Sequence, residues 1–345
     1  MSGNLTINSL VPPTWNRLKV NDCELTLPDT FTQGTASNAF ETAGAGLSDG
    51  SFEMLCGCGD VLSDALKERG ILPKQVLVTG TETVKSEISY KGDAADIICI
   101  KAEEGQTINI LTDIASSDNK ATGVLQLRIT AAKGSVINLS QLVRAGKDFT
   151  FVDDIGISLE EGARINLSQV FAGGGKIISG YRAGLSGEDS FSNVHVGLVR
   201  KESQLIDMNY VMKHTAPVTK SETYVSGTLM EGGSKTFRGT IDFVKGCVGA
   251  EGAENENMLL LDDTVINKTV PLILCDEENV AGSHGASIGR PAEDMLYYMM
   301  SRGITRERAL KILEKASLDS AVAHIEDENT REYVSAAIND IFGEE

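Results

Sequence analysis

Glu104-Gly105-Gln106-Thr107-Ile108-Asn109-Ile110, Lys133-Gly134-Ser135-Val136-Ile137-Asn138-Leu139 and Glu161-Gly162-Ala163-Arg164-Ile165-Asn166-Leu167 are the stretches that decide the fold. Their glycines lie 29 and 28 residues apart, and no proline occurs between Pro73 and Pro217. Each stretch joins a turn that needs glycine to a β-branched strand whose apolar face must stack on a neighbour. A self-similar unit at this spacing predicts a repeat architecture, and the simplest one is a coiled parallel β-structure.

The composition suits stacked strands with an aliphatic core. The 345 residues are 41% hydrophobic but 5% aromatic, so Val, Ile, Leu and Ala must fill the interior. The net charge of −18 argues against nucleic acid or an anionic membrane as a partner, because both would be repelled.

The sequence predicts a cytoplasmic protein. We see no basic segment followed by an apolar run at the N-terminus, as a signal peptide would have. No apolar stretch approaches the roughly 20 residues needed to span a bilayer. The six cysteines are scattered, which favours reduced thiols over a disulfide framework.

Changes in pattern predict three regions. Residues 1–75 are mixed, with a short helix capped by Ser63 and stopped by Gly70. Residues 76–288 carry the strand pattern. Residues 289–345 are helical: Pro291 suits a first helical position, and Thr305 suits the cap of the next helix.

Apolar positions in the last region fall on helical faces. The first helix has such a face at Met295, Leu296, Met299 and Met300, and the second has one at Ala309, Leu310, Ile312 and Leu313. The third has Val334, Ala337, Ile338, Ile341 and Phe342. Core packing is favoured for the methionine stripe, with an adaptable partner surface as the alternative.

Glycine-rich motifs for nucleotides fail their tests. Gly173-Gly174-Gly175-Lys176 is followed by isoleucine where a Walker A loop needs Ser or Thr, and in Gly232-Gly233-Ser234-Lys235-Thr236 a serine precedes the lysine. Gly44-Ala45-Gly46 lacks the strand and third glycine of a dinucleotide fingerprint. Both lysine-containing segments are predicted to be turns, and no nucleotide is expected on this chain.

Among candidate ligands, one histidine differs in context from the rest. Cys56-Gly57-Cys58 has no second pair to complete a zinc site, and His195, His214 and His324 are interpreted as structural polar groups. His284 lies between small residues in the segment Ala281-Gly282-Ser283-His284-Gly285-Ala286-Ser287. Its imidazole would stand clear of bulky neighbours and suits iron, although a plain linker explains the segment equally well.

Several segments together resemble the SufB/SufD family of iron–sulfur cluster assembly proteins. They are Thr14-Trp15-Asn16-Arg17-Leu18-Lys19-Val20, residues 210–222 from Tyr210 to Glu222, Leu259-Leu260-Leu261-Asp262-Asp263, the segment Pro271–Leu274, Ser283–Gly289 and Leu296–Ile304. The resemblance covers nearly the whole chain, most firmly residues 205–310.

The resemblance implies a mainly β protein with a right-handed parallel β-helix core, a small N-terminal mixed region and a C-terminal helical region. It also implies a non-enzymatic scaffold for a transient iron–sulfur cluster, which two chains could share across a dimer interface. The implied partners are a SufC-type ATPase, a SufB-type paralogue or a second copy of the chain, and a cysteine desulfurase as the sulfur source. The ATPase would dock on the helical region, through Met295, Met299, Arg302, Leu310 and Leu313.

Departures from the family pattern make the chain SufD-like. SufB-type members have a cysteine where this chain has Asn255 and a glutamate where it has Gly285; SufD-type members usually have a cysteine at the position of Gly282. His284 is therefore the site residue that carries over. Cys275 and Cys247 are near in sequence and are weaker candidates for a thiolate ligand, which a cluster site would be expected to need.

Two rival functions remain open at this stage. Parallel β-helices also serve as polysaccharide lyases and hydrolases, although the sparse aromatics and the lack of a signal peptide disfavour that class. The other rival is a purely structural partner that stabilises a cluster-bearing paralogue and binds the ATPase without ligating anything.

Overall fold

A computed structural model describes residues 3–14, 16–39, 41–42, 54–78, 83–116 and 120–343. Trp15 of the first family segment and the Gly44-Ala45-Gly46 motif lie outside these residues.

The described chain is mainly β and forms a parallel β-solenoid of about seven turns, which confirms the predicted fold class. Two sheets face one another across a lumen, and successive strands alternate between them. The first sheet contains β6 (Val84–Ile88), β8 (Thr107–Ile114), β10 (Val136–Val143), β12 (Arg164–Phe171), β14 (Phe191–Arg200), β16 (Lys220–Leu229), β18 (Glu251–Leu260) and β20 (Ala281–Gly289).

The second sheet contains β4 (Glu41–Thr42), β5 (Pro73–Leu77), β7 (Ala94–Ala102), β9 (Thr122–Ala131), β11 (Thr150–Leu159), β13 (Lys176–Leu185), β15 (Leu205–His214), β17 (Ser234–Phe243) and β19 (Ile266–Cys275). β3 (Thr32–Gln33) also pairs with β7. At the C-terminal end of the solenoid each sheet ends in a strand that pairs with a described strand along one edge only, β19 in one sheet and β20 in the other.

The repeated glycines and asparagines set the register of the coils. Gly105, Gly134 and Gly162 have φ of 67°, 65° and 65°, so each occupies the left-handed turn for which glycine was predicted. Ile108, Ile137 and Ile165 then stack in register. Beside them Asn138 donates to Asn109 at 2.8 Å and Asn166 donates to Asn138 at 2.9 Å, a ladder that links successive rungs.

The lumen is packed mainly with aliphatic and aromatic side chains, and a polar cluster around Asp153 interrupts them. Asp153 is fully buried and accepts hydrogen bonds from Gln141 at 3.0 Å, Gln169 at 2.7 Å and Ser179 at 3.1 Å. Burial raises the pKa of its carboxyl to about 7. The donors satisfy the carboxylate, so this cluster is part of the core.

The N-terminal region covers the outer face of the second sheet. It contains β1 (Asn4–Ile7), β2 (Cys23–Thr26) and α1 (Asp60–Glu68). Gly70 follows the helix with φ 77°, as predicted. Ser63 is not the cap, because the helix begins three residues earlier and the Ser63 hydroxyl accepts a hydrogen bond from Gln126 at 2.9 Å.

The C-terminal helices are α2 (Glu293–Ser301), α3 (Arg306–Val322) and α4 (Glu328–Phe342). Thr305 caps α3 by accepting from the Arg308 amide at 3.2 Å, as predicted. Pro291 precedes the N-cap Ala292, so its assignment to the first helical position is wrong by two residues. α3 packs on β14 and β16.

The predicted helical faces are only partly buried. Ala309, Val334, Ala337 and Ile338 are buried, whereas Ile341 is 44% exposed. In α2 Leu296 alone of its predicted stripe is buried, and Met295 and Met300 are exposed. Core packing is therefore wrong for this stripe, because α2 lies against α3 and leaves its other side open.

No helix among the described residues is both long and apolar enough to cross a membrane.

Candidate functional site

The C-terminal end of the solenoid is open, and His284 lies there. All nine residues of β20 are exposed, because β18 pairs with one edge of the strand and no described strand pairs with the other. The same holds for β19 in the opposite sheet, which pairs with β17. Two adjacent unpaired edges with free backbone groups are a ready template for another chain.

His284 faces the lumen side of this exposed strand. Parallel pairing places it in register with Glu254 of β18, whose side chain is buried between the sheets. Residues in register on neighbouring strands point the same way, so the imidazole continues the lumen-facing row of Glu254. The next residue points outward: a Cβ built on Gly285 would lie 3.2 Å from Oδ1 of Asn255, an exposed residue.

Two carboxylates and a lysine lie in the lumen beneath His284. Lys235 pairs with Glu256, and its ammonium also donates to Thr269 at 3.2 Å. Burial lowers the pKa of Lys235, and burial followed by the charge of Glu256 raises the pKa of Glu254 to about 7. Buried ionised groups require partners of opposite charge, and here a single lysine lies beside two carboxylates.

The two candidate cysteines differ in accessibility. Cys275 ends β19 at a lumen-facing position, in register with buried Phe243, and its exposed thiol lies 3.1 Å from the carbonyl oxygen of Glu277. Cys247 is buried in a small apolar cluster with Ile241 and Phe243, and burial raises the pKa of its thiol. The geometry thus favours Cys275 over Cys247 as an accessible thiol, while a ligand role for either stays a prediction.

None of the six cysteines forms a disulfide, and Cys56 and Cys58 are buried, with burial raising the pKa of both thiols. Among the described residues no three His, Cys, Asp or Glu side chains are arranged to hold a metal ion. Any metal at the open end would therefore be held by fewer such groups from this chain, or with groups from a second chain.

The other histidines take part in packing. His214 is buried and its two ring nitrogens hydrogen-bond to Thr219 at 2.8 Å and Ser221 at 2.9 Å. The ring of His195 is stacked between His324 and Tyr224, with centroid distances of 3.5 and 4.9 Å. This stack joins the α3–α4 corner to the outer face of the first sheet and lines a groove of about 580 Å³ that also reaches Asn255.

The predicted partner-binding residues lie on and beside the open face of α2. Met295 is 38% exposed, and the guanidinium of Arg302 lies 5.1 Å from the ring centroid of Tyr298. Met299, Leu310 and Leu313 are half-buried. Tyr297 and Tyr298, which the sequence interpretation did not single out, are 71% and 59% exposed and dominate this apolar surface. A partner role for these residues stays a prediction.

The sequence interpretation also missed the charged group in the lumen. Lys235 was placed in a turn, but the turn glycine is Gly232, with φ 76°, and β17 already begins at Ser234. Glu254 and Glu256 alternate with asparagines and precede Met258, which is fully buried. The alternation was a usable signal, but nothing in it distinguishes the inward face from the outward one.

Comparisons with known proteins agree with this architecture. The family model described as SUF system FeS cluster assembly, SufBD core domain, matches residues 88–317, two thirds of the chain. The iron–sulfur cluster assembly protein SufD of Bacillus subtilis is 24% identical over 230 residues, which cover 67% of this chain and 49% of that protein.

Two further relatives match shorter stretches. A SufBD family iron–sulfur cluster assembly protein of Staphylococcus haemolyticus is 32% identical over 113 residues, covering 32% of this chain and 24% of that protein. SufB of Bacillus subtilis is 30% identical over 107 residues, covering 31% and 23%. The matched part of the chain thus spans about half or less of each relative's length.

Because the family model covers the whole run of coils from β8 to β20 and part of the helical region, the chain belongs to the SufBD core family of the SUF iron–sulfur cluster assembly system.

Proposed function

We propose that this chain is a subunit of the SUF iron–sulfur cluster assembly complex, where it serves as a scaffold or scaffold partner for a nascent cluster. One observation carries the proposal: His284 projects from the lumen side of an exposed terminal strand, where a second chain can reach it. The cluster is cargo here, formed at the site and passed on.

The free edges of β19 and β20 support pairing with another chain. A partner strand added to either edge would satisfy backbone groups that are now open to solvent and would enclose the lumen mouth. Enclosure would place His284 at the interface between two chains. That partner is a SufB-type paralogue or a second copy of this chain.

The helical region is the proposed dock for a SufC-type ATPase. The exposed tyrosines and methionines of α2 form an apolar patch on a helix that packs on one side only. This chain would then act without catalysis of its own: the ATPase would supply the energy and a cysteine desulfurase the sulfur. We place the complex in the cytoplasm.

A purely structural role is the second candidate. Asn255 and Gly285 replace a cysteine and a glutamate that the family resemblance leads one to expect in SufB-type members. A chain without those ligands could still hold a paralogue and an ATPase together.

His284→Ala separates the two candidates. The complete complex would be co-expressed anaerobically with its ATPase, isolated by size exclusion and assayed for visible cluster absorption. The scaffold proposal expects intact assembly and a cluster yield at least fivefold lower, whereas an unchanged yield supports the structural role. Ser283→Ala, at an exposed neighbouring position that faces outward, is the matched control.

A further inference from the structure

An aromatic stack on the outer face of the first sheet ends with one ring face open. His195 and Tyr224 are in register on β14 and β16 with their ring planes 7° apart, and His324 stacks on the other side of His195. The Tyr224 side chain is 38% exposed. Its free face points toward β18, because residues in register on a parallel sheet follow one another strand by strand.

The next residue of this row leaves the ring face uncovered. It is Asn255, whose Oδ1 leans toward β20 and lies 3.2 Å from the position that a Cβ on Gly285 would take. The groove of about 580 Å³ opens beside the Tyr224 ring at this point. An open aromatic face in the wall of a polar groove suits a planar group or a cation.

The asparagine ladder ends in the same groove with an acceptor that has no donor. In the ladder Oδ1 of each asparagine accepts from the following rung, Asn109 from Asn138 and Asn138 from Asn166. Asn193 follows Asn166 in register, but the rung after it presents Glu222, and an ionised carboxylate has no proton to donate. Oδ1 of Asn193 is accordingly buried without a hydrogen-bond partner. A ligand in the groove would have to supply that donor.

The charge of the groove selects a cation. Glu222 is half-buried and accepts one long hydrogen bond, from the Tyr224 hydroxyl at 3.4 Å. None of the described residues that line the groove is a lysine or an arginine, and Lys220, two residues earlier on the same face, pairs with Glu251 at 3.3 Å. A carboxylate, an amide oxygen and a ring face all attract donors that carry positive charge.

A guanidinium meets these requirements better than an ammonium does. It is planar, so it can lie parallel to the Tyr224 ring, and its fork of five N–H donors can bind a carboxylate in pairs while another N–H reaches an amide oxygen. A free amino acid fits less well, because no described residue lining the groove carries the positive charge that its carboxylate would need. The matching ligand is therefore an arginine side chain within a polypeptide.

We propose that this groove binds an arginine side chain of a partner protein, with the guanidinium stacked on Tyr224 and hydrogen-bonded to Glu222 and Asn193. The site lies on the outer face of the first sheet, whereas His284 faces the lumen. It therefore does not depend on the proposed role in cluster assembly.

The test uses the purified full chain and N-acetylarginine N-methylamide, which presents the side chain as a polypeptide would. Saturation-transfer difference NMR suits the weak affinity of a single side chain, and a titration gives the dissociation constant. We expect saturation transfer to the side-chain protons of this probe, and at least fivefold weaker binding to the Glu222→Gln and Tyr224→Leu variants. Free arginine and N-acetyllysine N-methylamide should bind to the wild-type chain at least threefold more weakly than the arginine probe.

Glu188→Gln is the matched control, since it removes an exposed carboxylate from a turn elsewhere in the solenoid and should change the affinity less than twofold. Circular dichroism would verify the fold of each variant, and Glu222→Gln, which is nearly isosteric, still tests the site if Tyr224→Leu disturbs the stack. The inference would be overturned by a wild-type chain that gives no saturation transfer, by undiminished binding to Glu222→Gln, or by equal binding of the lysine probe. Free arginine that binds as tightly as the blocked probe would overturn the assignment to a polypeptide.

Discussion

Asn255 and Gly285 lie side by side on the outer face of the last two strands of the first sheet, since a Cβ on Gly285 would approach Oδ1 of Asn255 to 3.2 Å. They are the two positions at which the family resemblance leads one to expect a cysteine and a glutamate in SufB-type members. His284, which precedes Gly285 and pairs with Glu254, faces the opposite way. The two differences from SufB-type sequences therefore form one spatial unit, separate from the lumen-facing histidine.

This relationship predicts that the outer pair can be rebuilt. Asn255→Cys combined with Gly285→Glu should fold, because both positions are exposed and the neighbouring side chain needs to yield by only a few tenths of an ångström. We expect anaerobic reconstitution with iron and sulfide to give stronger thiolate-to-iron absorption than wild type. Asn255→Ser with Gly285→Glu is the control, and equal absorption from both variants would contradict the prediction.

Replacing a turn glycine is predicted to lower stability through backbone strain alone, without any steric clash of the new side chain. Gly134 has φ 65°, and a Cβ added there would meet no atom within 4 Å, so Gly134→Ala should lower the free energy of unfolding by about 1–2 kcal/mol through strain alone. Gly92 also has open space but no left-handed φ, and Gly92→Ala should change stability by less than about 0.5 kcal/mol. Urea unfolding of both variants checks this, and equal effects would show that the turn conformation is not the cause.

Contact between Gly197 and α3 predicts how the helical region is held. A Cβ at Gly197 would lie 2.8 Å from the Ser317 carbonyl oxygen and 2.9 Å from Cα of Leu318. Gly197→Ala should therefore push α3 off the sheet at a cost of about 1–3 kcal/mol. Hydrogen exchange should show faster opening of α3 while the coils stay protected. Gly184→Ala, whose Cβ would meet its nearest atom at 3.7 Å, should leave exchange unchanged.

The stacked histidines predict loss of stability in acid. Burial, and secondarily the charge of His324, lower the pKa of His195 from 6.5 to about 4. Between those values the unfolded chain takes up a proton that the folded chain refuses. The contribution of this site is therefore undiminished above pH 6.5 and is lost as the pH falls toward 4, by at most about 1.4 kcal/mol per pH unit.

His195→Phe keeps an aromatic ring in the stack and removes the titration. The variant should lose less unfolding free energy than wild type between pH 7 and 4.5, as measured by urea unfolding at each pH. The comparison cancels the opposite effect of Asp153, which both proteins share. Ser226→Ala, which changes a residue of the same groove, is the control and should show the wild-type dependence of unfolding free energy on pH. If His195→Phe showed the wild-type dependence as well, protonation of His195 would not be the cause of the acid destabilisation.

The exposed tyrosines predict where the proposed ATPase partner would bind. Tyr297→Ser with Tyr298→Ser removes most of the apolar surface of α2 and should weaken binding of a SufC-type ATPase at least tenfold in a pull-down or calorimetric titration. Stability should change by less than about 1 kcal/mol, because both rings are already in water. Binding that survives the double substitution would locate the dock elsewhere.

The spacing of the glycines and the β-branched residues after them predicted the coils, because a repeat must pair with its own copy at the same register. That spacing did not predict how far the coils extend, since the later ones drop the Ile-Asn pattern while keeping the backbone pairing. The helical face around Met295 was misassigned for a related reason. Amphipathic spacing shows that one side of a helix is apolar, but burial depends on what packs there.

By itself the sequence determined the class of fold, the turns at Gly105, Gly134 and Gly162, and the choice of His284 as the residue to test. These follow from local conformational limits and from the repetition of a sequence unit, both of which can be recognised in the sequence itself. Tertiary structure alone decided that Glu254, Glu256 and Lys235 share the lumen beneath that histidine, and that Asn255 and Gly285 turn away from it. Alternation along a strand shows which residues share a face, but it does not show which face is buried. The stacking of the coils decides that, because it packs one face against the opposite sheet.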